Sequence, residues 1–240
     1  VGKLRVPVEG QWITLLQPSV PLEILLNKEE NLMCTSIAMF QGRGYFGRNL
    51  DLEYSFDESV VTTPRAFPLA FRRQPPLDRH FALIGMANVT RGYPLYAEAV
   101  NEKGLYMAGL NFPGNAWYSP DVPEEYAAVT PYELIPWVLG SCADLAQAKQ
   151  LLAGFRPLGI PFSDDLPLAP LHWHIADSSG AAVLEATENG VSLYRDEMGV
   201  LTNNPPFPFH TMNLNQYQGL SARPVENLFA PEAPLDAFGQ

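Results

Sequence analysis

Short apolar runs bounded by turn residues recur along the chain after residue 32, a pattern that is typical of β-strands. The segments predicted as strands are Cys34–Phe40, Tyr45–Arg48, Val60–Thr63, His80–Val89, Tyr93–Val100, Leu105–Phe112, Leu171–Asp177, Ala181–Thr187, Val191–Arg195 and Gly199–Asn203. Turns such as "NEKG" and "SSG" join several of these runs directly, which favours antiparallel hairpins. The pattern therefore predicts a sheet-rich fold.

Two helices are predicted between the two groups of strands. Thr130 is a candidate N-cap, Pro131 occupies a first helical position and Glu133 the capping-box position. Pro136 should keep this helix short or kink it. The second helix is predicted over Asp144–Leu152. The order of strands, helices and strands indicates an α+β fold with an antiparallel sheet.

Residues 1–32 lack a lasting helical or strand period, so we expect them to be a leader outside the domain, which would span residues 33–240. Lys28-Glu29-Glu30 can be encoded by codons that contain a ribosome-binding sequence shortly before a Met33 codon. One hypothesis is therefore that the leader is translated upstream DNA. The alternative is a propeptide that is cleaved before Cys34.

Composition excludes several functional classes. The chain has 240 residues, of which 47% are hydrophobic, enough for a sizeable core. The net charge is -11 and no Lys/Arg cluster appears, so we expect no nucleic-acid partner. No run approaches the roughly 20 apolar residues of a membrane span, so we expect no membrane association. The two cysteines are too few for a disulfide framework, and they favour a reduced, cytoplasmic protein.

Cys34 has two interpretations. It is a small buried residue at the start of a strand, as free cysteines often are, or it is an N-terminal nucleophile. A free α-amine has a pKa of about 7.7–8.0 and a thiol one of about 8.5, so the amine of an N-terminal cysteine can accept its thiol proton. An amide nitrogen cannot do this, and the second interpretation requires a chain that starts at Cys34.

Four polar residues at strand ends are candidate partners of this cysteine. Arg48 and Asp51, in "GRNLD", form either a surface ion pair of little energetic value or a cation that favours the thiolate beside a carboxylate that holds the α-amine. Asn111 and Asn203 are either turn residues or amides directed at a developing oxyanion.

No motif indicates a metal or another cofactor. His172 and His174 lie two residues apart on a predicted strand and so share one face. No third ligand is evident near them, and we therefore predict no metal site. A Cys–His dyad with Cys34 has no local sequence signature in its favour.

In combination, five motifs resemble the choloylglycine hydrolase family of bile salt hydrolases and penicillin V acylases. They are "MCTSIAMF…GYFGRNLDLEYSFDESVVTTPR", "VNEKGLYMAGLNFPG", "TPYELIPWVLGSC", "LHWHIAD" and "GVLTNNPPFPFHTMNLNQY". The resemblance covers Met33 to Gln240. It implies an αββα sandwich of the N-terminal nucleophile hydrolase type, which should be incomplete at its C-terminus in this chain, because the family continues with further elements and an active-site arginine.

The resemblance also implies roles. Cys34 would be the nucleophile with its own α-amine as base, and Arg48 and Asp51 would hold and tune that pair. Asn111 and Asn203 would orient the substrate and form the oxyanion hole. The steroid of the substrate would lie on apolar residues, namely Leu50, Phe162, Leu166 and Leu171. The implied reaction is hydrolysis of glycine- or taurine-conjugated bile salts through a thioester, without a cofactor, in a homotetramer.

Two alternatives remain open at this point. In the first, the chain is a penicillin V acylase or another N-acyl amidase. Against it, the asparagine in "GLNFP" is more similar to bile salt hydrolases. From a different class, it is a non-catalytic relic that never exposes Cys34 as a terminus. We also expect a chain ending at Gln240 to be poorly stable, because sheet edges would lack partners.

Overall fold

A computed structural model describes residues 4–8, 11–14, 33–51 and 55–220. The chain divides into two compact units, Val1–Phe207 and Pro208–Gln240. The described part of the first unit contains all the strands given below and two helices. Among the described residues, no helix is long and apolar enough to cross a membrane.

The first unit consists mainly of β-strands. In chain order they are β1 (Leu4–Val8), β2 (Gln11–Thr14), β3 (Met33–Phe40), β4 (Gly44–Asp51), β5 (Ser59–Thr63), β6 (Leu83–Thr90), β7 (Tyr93–Asn101), β8 (Tyr106–Asn111), β9 (Ala127–Val129), β10 (Phe155–Pro157), β11 (Leu171–Asp177), β12 (Gly180–Thr187), β13 (Gly190–Asp196) and β14 (Val200–Leu201). A large sheet has the order β13-β12-β11-β8-β7-β6-β5-β1-β2, and a small sheet the order β14-β3-β4. Strands β9 and β10 form a separate parallel pair.

Two helices cover one face of the large sheet. Helix α1 (Leu134–Ser141) and helix α2 (Leu145–Leu152) belong to the connection between β8 and β11. Because side chains alternate along a strand, Met107 on β8 faces these helices in one hydrophobic core, whereas Tyr106, Ala108 and Leu110 face the opposite way.

The small sheet lies against the other face of the large sheet. Cys34, Ala38 and Leu201 of the small sheet pack with Ala108 and Leu110 of the large sheet in a second core. The outer face of the small sheet carries exposed apolar side chains, namely Met33, Ile37, Met39, Tyr45 and Val200. The described residues thus supply a helical layer and two stacked sheets, which are three layers of an αββα sandwich.

Most predicted elements are confirmed, with local differences at their ends. Strand β6 begins at Leu83 rather than at His80, because the His80 ring is bonded to the carbonyls of Phe67 and Phe81, at 2.7 and 2.6 Å, in a loop. Helix α1 begins at Leu134 rather than at Pro131. Glu133 still bonds the Thr130 N–H at 3.1 Å, so half of the predicted capping box is present.

Residues 1–32 contain two strands that no sequence pattern predicted. Strand β1 pairs in parallel with β5 and antiparallel with β2, at one end of the large sheet. The boundary between a leader and a domain at residue 33 remains a prediction.

The second unit is described through residue 220. Helix α3 (Phe207–Leu214), which begins at the last residue of the first unit, is followed by a 3₁₀ turn at Asn215–Tyr217. Residues 221–240 lie outside the described residues.

Candidate active site

Cys34 begins the buried part of β3 and is 3% exposed. Its backbone N–H donates a hydrogen bond of 2.6 Å to Oδ1 of Asn203. The Nδ2 group of Asn203 in turn donates to the carbonyl oxygen of Asn111, also at 2.6 Å. Three predicted site residues, which are far apart in the sequence, are therefore directly connected.

Arg48 reaches the same place from the neighbouring strand. Strand β4 pairs with β3 so that Cys34 lies opposite Leu50 and Ser36 opposite Arg48. The Nη1 group of Arg48 donates to the carbonyl oxygens of Ala97 and Gly109, at 3.1 and 3.0 Å. These bonds join the small sheet to the large one and fix a positive charge beside the cysteine.

A half-buried carboxyl group, that of Glu98, lies near this guanidinium. Burial raises the pKa of Glu98, and the positive charge of Arg48 partly offsets that rise. Tyr106 donates to Oε2 of Glu98 at 3.2 Å. Burial, and then the negative charge of Glu98, raise the pKa of the Tyr106 hydroxyl, so this hydroxyl stays protonated and serves as a donor.

Asp51 is placed differently from the other predicted polar residues. It is exposed and lies opposite Met33 at the end of the β3–β4 pair. It does not line the cavity described next. Its proposed contact with an α-amine at Cys34 remains a prediction, and in this structure the amide oxygen of Asn203 accepts from that nitrogen.

A mainly apolar cavity of about 280 Å³ opens above the cysteine. All four apolar residues predicted to bind substrate line it, together with three of the predicted catalytic residues. The lining residues are Cys34, Arg48, Leu50, Phe56, Leu95, Tyr96, Ala97, Gly109, Asn111, Pro131, Tyr132, Phe162, Leu166, Pro167, Leu168, Ala169 and Leu171. Cavities of a few hundred Å³ with apolar walls and few polar groups are typical of small-molecule sites.

Two residues that shape this cavity were missed by sequence reasoning. Tyr132 lines the cavity, and its hydroxyl accepts a hydrogen bond of 2.9 Å from Nε of Arg72. The Nη2 group of Arg72 also donates to the carbonyl oxygen of Phe162, at 2.9 Å. Arg72 thereby tethers the loop that contains Phe162 to the start of the α1 segment. Arg72 is 60 positions from Tyr132 and 90 from Phe162 in the sequence, and no local pattern indicates these contacts.

The second cysteine is not part of the site. Cys142 follows α1, is 3% exposed and does not line the cavity. Burial, with a smaller contribution from Asp144, raises the pKa of the Cys142 thiol to about 11. A thiol in this state is a poor nucleophile near neutral pH.

The two histidines of β11 contact carboxylates rather than each other. His172 lies 3.2 Å from Glu185, and His174 lies 3.1 Å from Asp196, all four side chains being nearly inaccessible. Among the described residues, no group of three or more His, Cys, Asp and Glu side chains is arranged to bind a metal ion.

Comparison with known proteins extends these observations. Residues 34–240 match the family described as linear amide C-N hydrolases, choloylglycine hydrolase family. A bile salt hydrolase/transferase of Lactiplantibacillus plantarum is 43% identical over 208 residues, which cover 87% of this chain and 64% of that protein. A bile salt hydrolase/transferase of Clostridium perfringens is 37% identical, with the same coverage of 87% and 64%. The chain thus spans slightly less than two thirds of these relatives.

Solved structures agree with the sequence comparison. A mutant of the conjugated bile acid hydrolase from Clostridium perfringens superimposes with a TM-score of 0.78 at 36% identity, covering 86% of this chain and 64% of the other. Penicillin V acylase from Agrobacterium tumefaciens has a TM-score of 0.64 at 17% identity, covering 78% and 58%, and at that identity the likeness shows a shared fold.

Proposed function

Because the chain belongs to the choloylglycine hydrolase family of linear amide C–N hydrolases, we propose that it hydrolyses the amide bond of glycine- or taurine-conjugated bile salts. One observation carries this proposal: Cys34 lies at an apolar cavity that also contains Arg48 and Asn111. The steroid part of the substrate would lie against the apolar walls of the cavity, and the amide carbonyl of the substrate would face the Cys34 thiol.

Cys34 is the proposed nucleophile. Its sulfur attacks the amide carbonyl carbon, and the α-amine of a processed Cys34 accepts the thiol proton. This step requires cleavage of the bond between Met33 and Cys34, because an amide nitrogen is not basic. The existing bond from the Cys34 nitrogen to Oδ1 of Asn203 would then orient the new amine.

The polar residues around Cys34 have complementary proposed roles. Asn111 would donate to the oxyanion, and Asn203 would orient both the amine and the Asn111 segment. Arg48 would stabilise negative charge at the sulfur. As the intermediate collapses, the C–N bond breaks and the protonated α-amine gives its proton to the departing glycine or taurine. Water then cleaves the thioester and restores the thiol.

The test is a substrate comparison with the protein made from its native gene. We expect release of glycine or taurine from glycocholate or taurocholate, and much slower hydrolysis of penicillin V. Cys34→Ala should abolish the reaction, whereas Cys142→Ala should retain it. If penicillin V is hydrolysed faster than the conjugated bile salts, the proposed substrate class is wrong and the penicillin V acylase alternative holds. An intact chain upstream of Cys34, with no activity on either substrate, would favour the relic interpretation.

A second candidate activity is acyl transfer, which the names of two relatives include. An amine would attack the thioester carbonyl in place of water, the C–S bond would break and the thiol would be restored. Incubation with taurocholate and excess glycine should yield glycocholate in addition to cholate. Formation of cholate alone would exclude transfer.

Two further parts of the proposal concern the whole protein. We propose a cytoplasmic location and a homotetramer. Sedimentation of the native protein should give four times the mass of one chain, and a monomer would contradict the second part.

A further inference from the structure

We propose that the buried pair His172–Glu185 positions the two site asparagines, an inference that rests on the proposed function. The mechanism above uses neither residue. Their side chains are 0% and 2% exposed, so they cannot contact substrate directly. Both residues nevertheless contact the segment that carries Asn203, and His172 also contacts the segment that carries Asn111.

His172 holds the segment before Asn203. Its Nε2 atom lies 2.8 Å from the carbonyl oxygen of Thr202. A carbonyl oxygen only accepts hydrogen bonds, so Nε2 is the donor. The other ring nitrogen, Nδ1, lies 3.2 Å from Oε1 of Glu185, and this contact fixes the orientation of the ring.

Glu185 holds the same segment at its far end. Its Oε1 atom accepts a hydrogen bond of 2.8 Å from the backbone N–H of Phe207. The pair therefore fixes the chain at Thr202 and at Phe207, on either side of Asn203. Between these points, Asn203 bonds the nitrogen of Cys34.

The His172 ring also contacts the segment of Asn111. It stacks on Phe112, with ring centroids 4.3 Å apart and planes inclined by 8°. One flat ring thus packs against the residue after Asn111 and bonds the residue before Asn203. Histidine suits this place because it combines a stacking face with polar edges.

The experiment has to distinguish a role of the His172–Glu185 pair in positioning the site asparagines from a role in the stability of the fold alone. Loss of His172 removes one of the two contacts of the buried Glu185 side chain, which destabilises the fold in either case. Asp177, at the other end of β11, provides a matched control. It is also a buried carboxylate, and its Oδ2 atom accepts from the backbone N–H of Leu145 at 2.7 Å, away from the cavity.

The experiment compares His172→Phe with Asp177→Asn in the protein made from its native gene. Phenylalanine keeps the stacking face and removes both ring nitrogens. We expect kcat for glycocholate to fall about 10–100-fold in His172→Phe with KM changed less than about threefold, because small displacements of catalytic groups have effects of this size. Asp177→Asn should lower the melting temperature but leave kcat within about twofold of the wild-type value.

A second readout is independent of activity. Hydrogen–deuterium exchange of residues 202–207 should accelerate in His172→Phe and not in Asp177→Asn. If His172→Phe does not fold, Glu185→Gln gives the same comparison, with a smaller fall of about 3–10-fold in kcat. The amide oxygen can still accept from Phe207 in the place of Oε1, but the negative charge that strengthens both contacts is lost.

The outcomes separate this inference from the proposed function. A wild-type protein that does not hydrolyse bile salts overturns the proposed function, and the exchange of residues 202–207 still decides whether the pair positions them. A folded His172→Phe variant with unchanged kcat, or with unchanged exchange in that segment, overturns the inference.

Discussion

Asn203 uses both ends of its side-chain amide, and this makes it the residue on which the site geometry depends most. Its oxygen accepts from the Cys34 nitrogen and its nitrogen donates to the Asn111 carbonyl. A side chain that only donated or only accepted could form one of these contacts but not both.

Replacement of Asn203 by alanine should therefore act on catalysis far more than on stability. We expect kcat to fall about 100-fold, because the loss of both contacts releases the Cys34 nitrogen and the Asn111 segment, and displacements of about 1 Å in a site have effects of this size. Asn204→Ala is the control: Asn204 is exposed and bonds the Pro113 carbonyl, so kcat should change less than about twofold. Steady-state kinetics on glycocholate measure both. Equal effects of the two substitutions would contradict the role given to Asn203.

The Cys142 thiol should make stability depend on pH in the alkaline range. Its pKa rises from 9.0 to about 11 in the folded protein. The unfolded chain loses this proton first, so the stabilisation is fully present below pH 9 and is lost as the pH rises to 11. We expect the free energy of unfolding to fall by about 2 kcal/mol more in the wild type than in Cys142→Ala across that interval. Urea unfolding measures the free energy of unfolding of both proteins at each pH. If the two values fall in parallel between pH 9 and 11, burial of the thiol has no such effect.

The sequence predicts the reactive residues better than the residues that hold them in place. Cys34 and Asn111 each have an ordinary structural interpretation, and they stand out only because the motifs around them occur together and in order. Arg72 does not stand out, because its partners lie 60 and 90 residues away and are specified only by the tertiary fold. For His172 the sequence suggests only a metal ligand or a partner of Cys34 in a dyad. Its contact with Thr202 depends on how β11 lies beside a distant turn.

At the scale of elements, the turn between β13 of the large sheet and β14 of the small sheet is tightly constrained. Gly199 has a φ of 67°, and its carbonyl accepts from Ala38 of β3 at 2.7 Å. A Cβ atom at Gly199 would lie 2.1 Å from the Ala38 carbonyl oxygen, a contact that the backbone cannot accommodate without moving.

Gly199→Ala should therefore be much more destabilising than the same substitution in an open turn. Gly92, between β6 and β7, has a φ of 77°, and a Cβ there would meet nothing within 4 Å. We expect a loss of about 1 kcal/mol for Gly92→Ala, from backbone strain alone, and of about 3 kcal/mol or more for Gly199→Ala. Urea unfolding measures both values. Equal losses would mean that β3 can move away from the turn at little cost.

Local patterns predicted most strands because each alternates between two cores or lies beside a clear turn. The exceptions are elements specified by distant partners. Strands β9 and β10 have three residues each and exist because they pair across the two helices. Strand β1 likewise depends on its pairing with Val60 and Val61 of β5, for which residues 1–32 contain no signal.

For the whole molecule, charge should influence how substrate arrives. The net charge is -11, and conjugated bile salts are anions, so their approach is opposed by long-range repulsion. Salt screens this repulsion over about 10 Å at 0.1 M. We expect KM for taurocholate, kept below its micellar concentration, to fall as NaCl rises from low to moderate concentration while kcat stays constant. A KM that rises with salt would show that the local charge of Arg48 dominates instead.

The tether from Arg72 has an evolutionary consequence. Of the proposed catalytic residues, Cys34, Arg48 and Asn111 lie on paired strands. Phe162, Leu166 and Leu171 lie on a loop or at its junction with β11. Arg72 bonds the backbone carbonyl of Phe162 rather than a side chain, so the side chains of the loop can change without loss of that contact. The arrangement leaves mutation free to alter which acyl groups fit the cavity while the chemistry of bond cleavage is inherited intact. Related proteins with different substrates should therefore differ in sequence mainly in this loop.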